Sequence, residues 1–262
     1  MPKLAANVSL LFPEHEFLDR FAAAAEAGFE GVEFLFPYEW PIEDIAERLE
    51  ASRLTQVLFN LPPGDFEAGE RGFGAIPGRE DDFREGLEIA LDYAEALSCP
   101  HLHVMAGKVP TGAEGADLAE MEATFVANLR LAADLGAKRG VRPLVEPLND
   151  RDQPGYFLSR LAHARSLIEA VGSDNLGLQF DLYHTQIMEG DLARNITANM
   201  DLIRHFQIAG VPERHEPDTG ESNHRFLFDH IDGLGYEGWI GCEYRPREGT
   251  IAGLAWAQDY LG

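Results

Sequence analysis

"LGLQFDLYH", residues 176–184, is a short apolar run that closes on a carboxylate and a histidine. A parallel strand buried on both faces reads as continuous apolar sequence, so Asp181 near the end of this one needs a reason to be there. The neighbouring runs repeat the pattern. "LVEPLN" (144–149) carries Glu146, "HFQIAG" (205–210) carries Gln207, and "IGCEY" (240–244) carries Glu243. Positions 146, 181, 207 and 243 are separated by 35, 26 and 36 residues, each the length of one strand-plus-helix unit. On a closed barrel these four strand ends converge.

The rest of the chain supports that closure. Apolar, β-branched or aromatic runs lie at 4–10, 31–36, 55–61, 101–106, 142–148, 176–182, 205–209 and 239–244, which makes eight strand candidates. Amphipathic stretches alternate with them at about 16–27, 42–52, 83–98, 118–139, 157–171, 192–204, 224–234 and 253–261. In the clearest, Phe83, Leu87, Ala90, Leu91, Ala94 and Leu97 fall on one helical face after an acidic start at Asp81 and Asp82. Eight such units predict an α/β fold, a (β/α)8 TIM barrel. Neither GxGxxG nor GxxxxGK[ST] occurs, and no Pro/Ser-rich linker divides the chain, so residues 1–262 are expected to form a single barrel domain. The connections 62–82 and 107–117 are long, and both are expected at the C-terminal face, where barrel enzymes place their chemistry.

Composition narrows the partners. The 262 residues include 45 acidic and 21 basic side chains, a net charge of −24, which argues against nucleic acid and anionic membrane surfaces. The N-terminus lacks a signal-peptide pattern and nowhere do about 18 apolar residues run together, so a cytoplasmic protein is the default. Cys99 and Cys242 are too few for a disulfide framework and are read as packing residues.

Any one of the strand-end carboxylates alone has a bland account as an ion pair or helix cap. Four polar groups in register do not, because burying carboxylates together without a cation is costly. Three carboxylates and an amide oxygen form a hard donor set that suits Mg²⁺ or Mn²⁺ better than zinc or copper. Of His101 and His103, at most one is expected to face the barrel interior. His103 is taken as that one and, with His184, as a candidate substrate contact, while His101 is read as structural. Glu33 is a further inward carboxylate, either touching substrate or pairing with a histidine.

The blocks "GFEGVEFLFPY" (28–38), "LFNLPPGDFEAGERGFGAIPGRE" (58–80), "LVEPLN", "LGLQFDLYHTQIMEGD" (176–191), "HFQIAGVPERHEPDTGE" (205–221) and "GYEGWIGCEYRP" (235–246) carry a resemblance that runs nearly end to end. The chain resembles the hydroxypyruvate isomerase family of the xylose isomerase-like barrels, a group that also holds 2-oxo-tetronate isomerases, ketose 3-epimerases and endonuclease IV. The resemblance implies a divalent metal held by Glu146, Asp181, Gln207 and Glu243, with Glu146 and Glu243 also acting as the acid/base pair. The wider superfamily commonly places His where this chain has Gln207, which favours the hydroxypyruvate isomerase subgroup over the epimerases.

The implied reaction interconverts hydroxypyruvate and 2-hydroxy-3-oxopropanoate through an enediol. A carboxylate on each side of the substrate plane would remove and return the proton. The substrate, a small hydroxy-oxo acid or sugar acid, is an anion in an acidic protein, so scarce cations at the catalytic face matter. Arg71, Lys108 and Arg214 are the candidates to receive its carboxylate, and the glycines around Arg71 suit a lid. The competing readings are a 2-oxo-tetronate isomerase, a ketose 3-epimerase, and a non-catalytic sugar-binding barrel. DNA repair is disfavoured by charge. Pairing into a homo-oligomer is left open.

Overall fold

The computed structural model describes residues 2–261. Eight parallel strands among them close on themselves: β1 (Lys3–Asn7), β2 (Gly31–Glu33), β3 (Thr55–Asn60), β4 (His101–His103), β5 (Arg142–Val145), β6 (Gly177–Asp181), β7 (Ile203–Ile208) and β8 (Trp239–Cys242). The order is sequential, and β8 pairs with β1 through Ala5 opposite Gly241 and Ala6 opposite Cys242. The predicted (β/α)8 barrel is therefore the observed one. All eight expected runs contain a strand, shorter in most cases than the apolar run.

The helices pack outside. They are α1 (Arg20–Glu26), α2 (Ile42–Ser52), α3 (Glu80–Ala96), α4 (Ala116–Arg139), α5 (Leu161–Val171), α6 (Leu182–Met188), α7 (Leu192–Asn199), α8 (His224–Gly233) and the single turn α9 (Thr250–Gly253). On α3 the buried side chains are Phe83, Leu87, Ala90, Leu91 and Ala94, and Glu80, Asp81 and Asp82 fill the first turn, where acidic groups favour the helix dipole. The outward faces of the strands meet these helices: Phe34 stacks on Phe59 at 5.6 Å and Phe180 meets Phe206 edge-on at 5.7 Å. Cys99 and Cys242 are free and buried, as packing residues should be. No helix among the described residues is long and apolar enough to cross a membrane.

Three boundaries differ from the sequence reading. The helix expected at 157–171 begins only at Leu161, so the β5 connection, residues 146–160, is a further long loop at the catalytic face, as is 209–223 after β7. The helix expected at 192–204 is α7, which stops at Asn199, and an unexpected helix, α6, precedes it, because Asp181 caps a helix at once by accepting from the Tyr183 N–H and the chain then turns at 189–191. The final helix shrinks to α9 and a 3-10 turn, Leu254–Ala257.

Candidate active site

Alternation along each strand sends every second residue into the barrel. On β6 these are Gln179 and Asp181, and on β7 they are His205 and Gln207. Their partners lie across the interior. Glu33 of β2 accepts from Gln207 Nε2 at 2.8 Å, from Asn7 Nδ2 at 3.0 Å, and faces His205 Nε2 at 2.6 Å. Since β2 and β7 are not neighbours, these bonds run through the middle of the barrel. Space for them comes from Gly241 on β8, where a Cβ would overlap the Glu33 carboxylate.

The upper layer is a chain of carboxylates and amides with fixed directions. Carboxylate oxygens here accept from the amide NH2 groups that face them. Gln179 Nε2 donates to Glu146 Oε2 at 2.9 Å and to Gln207 Oε1 at 2.6 Å. Gln207 Nε2 in turn donates to Glu33 and to Glu243 Oε2. Glu146 and Glu243 are thus bridged by two amides. As it stands, Gln207 offers its nitrogen to Glu243, with its oxygen bonded to Gln179.

Histidines complete the wall. His103 Nδ1 faces two acceptors, Asn60 Oδ1 at 3.2 Å and Glu146 Oε2 at 3.4 Å, so that nitrogen carries the ring hydrogen. Its ring is held neutral, the pKa pulled down to about 3 by burial. His184 Nδ1 receives the Asn149 backbone N–H at 3.0 Å, which leaves the hydrogen on Nε2, 3.5 Å from Asp181 Oδ2 and 3.9 Å from Glu146 Oε1. The expectation of one inward histidine on β4 fails. Residues two apart share a strand face, so His101 turns inward as well, its ring 6.5 Å from that of His205 on the far side. His101 is not among the residues that line the cavity.

Burial dominates the electrostatics. It raises Glu146 well above the carboxylate range, with Glu243 and Asp181 adding to the rise, and lifts Glu243 to about 8 and Asp181 to about 6 against the pull of Arg214. The orphaned atoms sit at the same place. Glu146 Oε1 and Asp181 Oδ2 are buried without a hydrogen-bond partner, and one ligand atom each from Glu146, Asp181 and His184 lie within 4.8 Å of one another. This Glu/Asp/His cluster could hold a divalent metal. Two unpartnered carboxylate oxygens fit a hard cation, whereas the protonated Nε2 of His184 is a hydrogen-bond donor in this tautomer.

Above the layer opens a cavity of about 140 Å³. Leu35, Phe36 and Phe66 form part of its apolar side, and Arg71, Arg214 and Arg245 are its cations. Arg214 Nη2 meets Glu243 Oε1 at 2.5 Å and lies 3.8 Å from Asp181 Oδ2. Its backbone has φ 57, in the left-handed region, within a turn closed by Arg214 N–H to Gly210 O and Gly210 N–H to His215 O, each 2.8 Å. Arg71 bonds Gln153 Oε1 at 3.0 Å and stacks over Phe66 at 3.7 Å, joining the β3 and β5 loops across the mouth. Gly72, at φ 91 and so close to Met105 that a Cβ would overlap it, seats this loop on β4. Lys108 is outside the cavity lining; its backbone bridges Tyr156.

The sequence model of the xylose isomerase-like TIM barrel matches residues 21–260. The chain belongs to this family. Among its relatives, a 2-oxo-tetronate isomerase of Cupriavidus necator is 55% identical over 262 residues, covering 100% of both chains. The hydroxypyruvate isomerase of Escherichia coli is 46% identical over 260 residues, covering 99% of this chain and 100% of the relative. A crystal structure described as an AP endonuclease of family 2 from Brucella melitensis superposes with a TM-score of 0.97 at 52% identity, covering 100% of each chain.

Within this xylose isomerase-like site, sequence reading missed several residues. Gln179, Asn60, Gln153 and Arg245 all line the cavity. Gln179 stands two residues before Asp181, where the strand period marks it as inward, but the other three lie at strand ends or in loops and carry no periodic signal.

Proposed function

We propose that this chain is an aldose–ketose isomerase of small hydroxy-oxo acids, taking hydroxypyruvate to 2-hydroxy-3-oxopropanoate by moving one proton through an enediol. The observation that carries this reading is the pair Glu146 and Glu243. They stand just past the ends of β5 and β8, line one cavity, and are joined by a two-amide bridge.

Glu146 and Asp181 would hold a divalent cation, most simply Mg²⁺ with Mn²⁺ as the alternative, and Glu243 would add a third carboxylate; Gln207, whose oxygen takes a hydrogen from Gln179, would join as the fourth donor only where Gln179 releases that oxygen. Such a cation would supply Lewis-acid polarisation of the substrate carbonyl. The chain's own residues handle the proton. One glutamate takes it from the hydroxyl-bearing carbon and the other returns a proton to the neighbouring carbon, while the hydroxyl proton passes to the former carbonyl oxygen; burial raises both glutamates above the usual carboxylate range, Glu243 to about 8. His184 directs its Nε2–H into the same space and can donate to the enediol oxygen. Arg214 steadies Glu243 and Asp181, and the Arg71 loop excludes water.

A 2-oxo-tetronate, one carbon longer, is the second reading, favoured by the Cupriavidus relative at 55% identity. The same two glutamates would serve. The nuclease described for the Brucella structure finds no support in a chain of net charge −24. The test is an isomerase assay on hydroxypyruvate and on 2-oxo-tetronates, with and without chelator, with products identified. Turnover of either acid supports the reading. An epimeric ketose as the sole product defeats it, and undiminished rates after rigorous metal removal defeat the cation's part.

A further inference from the structure

We propose that Arg245 receives the carboxylate of the substrate, an assignment that rests on the hydroxy-oxo acid reading and adds the group by which acids are chosen over neutral sugars. Four arginines surround the barrel mouth, and three are already engaged. Arg71 is held by Gln153 Oε1 and lies over the Phe66 ring. Arg151 donates to Tyr183 Oη at 3.0 Å and to Pro212 O at 2.7 Å. Arg214 is turned down against Glu243 and Asp181.

Arg245 is different. Its backbone is fixed on both sides, N–H to Arg214 O at 2.8 Å and O against His215 Nδ1 at 2.7 Å, while its guanidinium has no hydrogen-bond or ion-pair partner among the described residues. It stands two residues after Glu243, just past the end of β8, and both line the same cavity. It lines the catalytic cavity and also an adjoining polar vestibule of about 520 Å³. The vestibule walls carry Arg151, Arg214 and Arg245 against Asp152 and Glu213, a local positive excess in a strongly acidic protein. An anion approaching this face meets a guanidinium fork, unpartnered among the described residues, that lines the same cavity as Glu243. That fork matches a carboxylate bidentately, which a lysine ammonium cannot.

The test compares wild type with Arg245→Ala and Arg245→Lys, both at an exposed side chain where the fold should tolerate change. Steady-state kinetics on hydroxypyruvate are joined to inhibition by glycerate and by its neutral methyl ester, with Mn²⁺ affinity as a check on the intact barrel. In Arg245→Ala, KM for hydroxypyruvate and Ki for glycerate should rise roughly 10- to 100-fold while kcat changes little. The ester should inhibit wild type and variant alike, and lysine should recover part of the loss. Unchanged KM and Ki in Arg245→Ala overturn the assignment, as does an equal loss for ester and acid. A wild-type protein that neither turns over hydroxypyruvate or 2-oxo-tetronates nor binds glycerate overturns the functional reading, and this assignment with it.

Discussion

Arg214 and Glu243 form an ion pair in the barrel mouth, Nη2 to Oε1 at 2.5 Å, with the Arg214 side chain only 14% exposed. The pair opposes the burial that lifts Glu243 to about 8. Removing the cation lets that pKa climb further, so a base that must be ionised becomes active only at higher pH. Arg214→Ala should shift the rising limb of the kcat/KM profile upward by about one unit or more, and Arg214→Lys should largely restore it. An unmoved profile in Arg214→Ala would show that the ion pair does not tune the base.

Glu146→Gln and Glu243→Gln keep the shape of the side chain and remove its proton chemistry. Each should lower kcat by about 10²- to 10⁴-fold. Neither should lower the melting temperature at pH 8, since each removes a buried carboxylate whose ionisation burial disfavours. Retained activity in both variants, measured after single turnover to exclude contaminating enzyme, would remove the glutamates from the mechanism.

Raised carboxylates also set how the metal-free protein responds to pH. With Glu243 lifted to about 8 from 4.5 and Asp181 to about 6 from 3.8, the folded chain keeps protons that the unfolded chain has released. Their contribution to stability is therefore full in acid and is lost as pH rises toward 8. A cation that replaces those protons should reverse the trend. Melting of chelator-treated protein should fall between about pH 5 and 8, less steeply in Glu243→Gln, and Mg²⁺ should stabilise more at the upper end than at the lower. Equal metal stabilisation at both ends contradicts the linkage.

Gly241→Ala places a methyl group where the Glu33 carboxylate lies. The barrel must shift β8 or displace the carboxylate from His205, Asn7 and Gln207. A loss of roughly 1–3 kcal/mol in denaturant unfolding is expected. A smaller cost would mean that the polar layer moves freely.

The fold was legible because a barrel repeats one signal. Each strand offered β-branched or aromatic residues between turn-forming segments, and Asp181, Gln207 and the two glutamates recurred at unit spacing. The interior below them was harder to read. His205, Asn7 and Gln179 are polar groups inside otherwise apolar strands, and their partners come from strands far away in sequence, as Glu33 and Gln207 do across 174 residues. Only the two-residue period could have flagged them, and applied to His101 and His103 it places both inside. The loops were less legible still. Arg71, Arg214, Lys108 and Arg245 all follow strands, yet what distinguishes them is which guanidinium or ammonium is already occupied, a property of tertiary contacts that composition does not encode.

The bridge through Gln207 limits what this position can become. Its one NH2 group supplies hydrogens to both Glu33 and Glu243, while its oxygen takes one from Gln179. A neutral imidazole in its place owns a single N–H, so one of the two carboxylates would lose a donor. Glu33 would keep Asn7 and His205, and Glu243 would keep Arg214, so the loss falls on the tie between them: histidine at position 207 would leave the two sides of the barrel interior without the single amide that now fixes one against the other.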